Sequence, residues 1–88
     1  MPIAALSAAE RVARVLAGQR ASANAKGDEA SASREVEQNW RDHLMDAVAV
    51  LKTLREPDAA MASAGDAAIW ERMVLAAIEQ TEPETVAL

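Results

Sequence analysis

The stretch Arg34–Pro57, REVEQNWRDHLMDAVAVLKTLREP, is the longest strongly periodic run in the chain and decides its fold class. With Val36 at zero and about 100° per residue, Val36, Leu54, Ala47, Trp40, Leu51 and Leu44 fall within an arc of roughly 80°. Arg34, Arg41 and Lys52 lie on one flank of that stripe, and Glu35, Asp42 and Asp46 lie together on the other. A strand is excluded, because period two would put Trp40 and Leu44 on the same face as Asp42 and Asp46. The spacing predicts one helix with an apolar, a basic and an acidic face. Ser31 and Ser33 are both candidate N-caps; Ser33 is preferred, with Glu35 and Glu37 following where the helix dipole favours carboxylates. Pro57 marks the end, since it draws Glu56 away from helical dihedrals and has no N–H to donate. A helix from Arg34 to Arg55 would be about 33 Å long.

Upstream, Met1–Leu6 form a short apolar lead whose Ile3 and Leu6 are expected to pack over the first helix. Ser7-Ala8-Ala9-Glu10 is a capping box: the Ser7 hydroxyl can accept from the Glu10 amide while the Glu10 carboxylate reaches back. The helix that follows runs to about Ala23, with Val15, Ala8, Val12, Leu16 and Ala9 on its apolar side. Glu10 and Arg14 are spaced for an i,i+4 pair. Between residues 21 and 33, ASANAKGDEASAS lacks large apolar side chains and reads as a flexible loop. It contains one glycine and no Gly-Lys-Ser/Thr, so it is not a phosphate-binding loop.

Downstream, Glu56-Pro57-Asp58 opens a short helix, with Pro57 suited to the first helical position. Its expected end is Gly65 as a left-handed C′ residue. Asp66 then caps a last helix, from Ala67 to about Gln80. In that helix Ile69, Met73, Ala77, Trp70, Val74 and Ile78 spread over roughly 180°, wide enough to contact two neighbours. Residues 81–88 read as a frayed tail whose Val86-Ala87-Leu88 carries little ligand character.

The chain has 88 residues, which suits a single helical domain with a core of marginal size. Half of the composition is hydrophobic, much of it alanine, and Trp40 and Trp70 are the only aromatics. Both are expected to anchor packing. The absence of cysteine excludes disulfides, thiolate metal sites and a cysteine nucleophile. No run approaches the roughly 18 apolar residues that span a membrane, and no signal-peptide pattern opens the chain, so a cytoplasmic protein is expected. Fourteen acidic against nine basic residues give a net charge of −5, which disfavours direct nucleic-acid or anionic-membrane binding.

No catalytic constellation stands out. His43 is the only histidine; no converging ligand set or nucleophile accompanies it, so it reads as a partly buried structural residue. The acidic face Glu35, Asp42 and Asp46 reads first as a solvated flank. The short helix, Gly65 and last helix have the order of a helix-turn-helix, but Glu71 and Glu79 give the would-be reading helix the wrong charge.

The segments Leu54–Gly65 and Ile69–Gln80, LREPDAAMASAG and IWERMVLAAIEQ, resemble a diffuse group of short uncharacterised proteins of proteobacterial phages and prophages. The shared marks are an Arg-x-x-Arg helix (Arg11 to Arg14), a Trp-led helix (Trp40) ending in Leu54-Arg55-Glu56-Pro57, then Met61, Ala64-Gly65 and Trp70-x-x-Met73. The resemblance covers most of the chain and implies a phage accessory protein without a known enzyme activity. The expected molecule is an all-α bundle of three main helices plus one short helix, assembled as a homodimer. No catalytic, cofactor-binding or metal-binding residues are assigned. The interface candidates are Trp70, Met73, Val74 and Ile78, for contact with a second copy or with an unknown protein partner. The alternative is an acidic mimic of nucleic acid, built on Glu35, Asp42 and Asp46, that occupies a host DNA- or RNA-binding protein.

Overall fold

The computed structural model describes residues 2–25 and 29–81. It is all-α: α1 (Ala8–Ala25), α2 (Glu29–Asn39), a 3-10 turn (Trp40–His43), α3 (Leu44–Leu54), α4 (Ala59–Ala64) and α5 (Ala67–Thr81), with no strand among the described residues. Because α2, the 3-10 turn and α3 follow one another without a break, the described residues form three main helical runs and the short α4. No described helix is long and apolar enough to cross a membrane. The helices group into two compact units, one up to Ala47 and one from Val48 onward.

In the first unit α1 packs on α2 and on the 3-10 turn. Its start is set locally: the Glu10 amide donates to Ser7 Oγ at 3.1 Å, and the Arg11 amide to the Ser7 carbonyl at 3.0 Å. The Glu10 carboxylate turns outward to Arg14 Nε at 2.8 Å, so the i,i+4 pair forms. The buried face is a row of alanines, Ala9, Ala13, Ala17 and Ala21, none more than 3% exposed. That row departs from the expected stripe, since Val15 is 61% exposed. Side chains of one carbon let the partner backbone approach closely; Gly18 of the same helix faces α2, its Cβ position lying 3.8 Å from Val36 Cγ2. Trp40, Ala13, Ala17 and Ala47 form the core cluster, with Val12, Val36 and Leu44 packed against it.

Four sequence expectations change here. Residues 21–25 belong to α1 and 29–33 to α2, so a loop from 21 to 33 is replaced by helix on both sides, with 26–28 outside the described residues. Ser33 is accordingly not an N-cap; it lies inside α2. The Arg34–Arg55 helix is not uniform, because the Leu44 amide donates to the Arg41 carbonyl in the 3-10 turn. Across that turn Val36, Trp40, Leu44 and Ala47 of the expected stripe still pack in one cluster and Leu51 is buried, while Leu54 at its far end is 44% exposed. Finally, Ile3 and Leu6 do not pack over α1, being 95% and 44% exposed.

In the second unit the buried side chains are Val48, Leu51, Val74 and Ile78. Asp58 caps α4 by accepting from the Met61 amide at 2.9 Å, and Asp66 caps α5 by accepting from the Ile69 amide at 3.1 Å. The Asp66 cap matches the sequence reading. Pro57 is not the first helical residue, because it precedes the cap. Gly65 has φ −160° and ψ −144°, extended rather than left-handed. The indole of Trp70 donates to the Leu54 carbonyl at 2.7 Å and thereby satisfies one of the orphan acceptors at the end of α3. Thr81, read as the start of a frayed tail, is instead the last residue of α5, and the rest of that tail, 82–88, lies outside the described residues.

Candidate functional site

Two clefts collect the residues that the sequence singles out, one in each unit. In the first unit a cleft of about 410 Å³ gathers Glu35 from α2, Asp42 from the 3-10 turn and Asp46 from α3. Ala17 and Arg20 of α1, with Asn39 and His43, complete its lining. All three carboxylates of the predicted acidic face are therefore brought together. The arrangement also adds what helical projection of one segment could not supply, a guanidinium from a different helix. Asp42 and Asp46 are exposed, Glu35 is half-buried, and His43 is half-buried as expected. No group of three or more His, Cys, Asp or Glu among the described residues is placed to hold a metal ion. The lining contains no hydroxyl or thiol that could serve as a nucleophile. What the cleft can do is attract a cation or a hydrogen-bond donor, weakened by Arg20 and by solvent screening.

Arg14 organises a second polar cluster in the same unit. Its Nε and Nη1 donate to Glu10 at 2.8 Å and to Glu37 at 2.7 Å, joining α1 to α2. Its guanidinium carbon lies 5.1 Å from the Trp40 ring centroid, and that of Arg41 lies 4.3 Å from it. The hydrogen bonds it donates, to Glu37 first and to Glu10 second, make Arg14 hold its proton more firmly than a free guanidinium. Glu37 is in turn held below the usual carboxylate range, by that hydrogen bond first and by the charge of Arg14 second. These groups are open to water, so the effect on stability is small. Arg41, read from sequence as part of a basic flank, is exposed and holds its guanidinium over the indole.

In the second unit a cleft of about 360 Å³ is bounded by α4, α5 and the turn between them. Met61, Ile69, Trp70 and Met73 supply its large side chains. Met73 is 65% exposed, Ile69 46% and Met61 37%, while Trp70 is half-buried. The four interface candidates thus separate. Trp70 and Met73 line the cleft, whereas Val74 and Ile78 are 7% and 5% exposed and belong to the interior. The sequence reading missed Met61 and Ile69 as members of this site. The available signal was small: Met61 is the only large apolar side chain of α4, and a lone methionine on a short helix has little inside its own element to cover it.

No family model matches the chain, and no curated protein or solved structure matches it.

Proposed function

We propose that this chain is a non-enzymatic helical protein–protein interaction module, an accessory protein of a phage or prophage that acts in the cytoplasm and assembles as a homodimer. The observation that carries the interaction reading is the apolar cleft of Met61, Ile69, Trp70 and Met73 on the second unit. Two methionines give it an adaptable lining, and a half-buried tryptophan fixed by its indole hydrogen bond gives it a rigid edge. An apolar helix face or a second copy of the same cleft is the occupant that such a lining suits. The phage context rests on the sequence resemblance alone.

The test is light scattering over a concentration series, together with capture of partners from host lysate, for the native chain and for Met73→Glu combined with Ile69→Glu. Both sites are exposed, so the double variant is expected to fold, to run as a monomer and to lose partner capture. If the native chain stays monomeric throughout and the double variant captures the same proteins, the reading is overturned.

A second reading, an acidic nucleic-acid mimic, is favoured by one observation: Glu35, Asp42 and Asp46, from three successive elements, line one cleft. Arg20 in the same cleft dilutes that field. For a mimic, partner binding should weaken steeply with salt and be lost in Asp42→Asn with Asp46→Asn. Binding that ignores both salt and these substitutions excludes it.

A further inference from the structure

We draw no further inference here: the strongest candidate, the apolar cleft between α4 and α5 lined by Met61, Ile69, Trp70 and Met73, already carries the proposed function, and nothing in the structure shows what covers it.

Discussion

Gly18 sits in the middle of α1 with space for a methyl group, since an added Cβ would stand 3.8 Å from Val36 Cγ2, an ordinary contact. Glycine inside a helix costs about 0.5 to 1 kcal/mol relative to alanine. Gly18→Ala is therefore expected to stabilise the fold by that order and so raise the urea midpoint, and a lower midpoint would mean that α1 and α2 are closer than described. Gly65 gives a complementary test. Its backbone is extended and nothing lies within 4 Å of its Cβ position. Gly65→Ala should be nearly neutral, whereas a left-handed glycine would lose stability on the same change. Glu37 supplies the pH dependence. Its pKa is depressed in the folded state, so its contribution is present above the unfolded carboxylate pKa and is lost as pH falls through the folded one. Glu37→Gln should thus unfold more readily than the native chain at neutral pH. The gap should narrow as pH falls below the ordinary glutamate pKa and close only once pH has passed the lower folded-state one; a gap independent of pH would rule out the Arg14 pairing as its source.

At the scale of elements, the alanine row of α1 and the ring of Trp40 are two halves of one packing solution. Ala13 and Ala17 are buried against Trp40 in the same cluster. A larger side chain at Ala13 has nowhere to go, and overpacking of this kind costs about 1 to 3 kcal/mol. Ala13→Leu is expected to be destabilised by that amount in urea titration, and a neutral result would show that the α1 contact is loose. Trp40→Ala should cost more, about 3 to 5 kcal/mol, because it removes the one large aromatic of that cluster. The caps were the most legible elements, since a Ser7–Glu10 or Asp66–Ile69 contact spans three residues and depends on nothing distant. The buried face of α1 was less legible. Counting apolar bulk points toward Val15, but the structure buries the residues small enough to let another helix approach. Sequence periodicity reports how much each residue would gain by burial, and close approach is decided by how little room each one takes.

For the whole molecule, the division of the last helix into inside and outside determines which substitutions report function. Val74 and Ile78 are interior, so Val74→Glu would bury a carboxylate without a partner, and loss of the folded state is the expected outcome in circular dichroism. Met73→Glu places the charge at a side chain that is 65% exposed. It should leave the helical signal and thermal midpoint close to native while changing association. A Met73→Glu chain that unfolds, or a Val74→Glu chain that folds as well as the native one, would reverse this assignment of faces.

The amino-acid sequence by itself determined the all-α class, the approximate helical runs and the caps at Ser7 and Asp66, because helix periodicity and capping act over three or four residues. It also marked Glu35, Asp42 and Asp46 as neighbours, for they lie on consecutive turns of one run. Tertiary structure decided which alanines α1 buries, where the central run turns 3-10, that Arg20 joins the three carboxylates, and that Met61 and Ile69 belong with Trp70 and Met73. Each of those depends on groups brought together from separate elements. A helix's own pattern specifies that an apolar side exists; the neighbour that arrives determines which part of that side is covered and which part stays open.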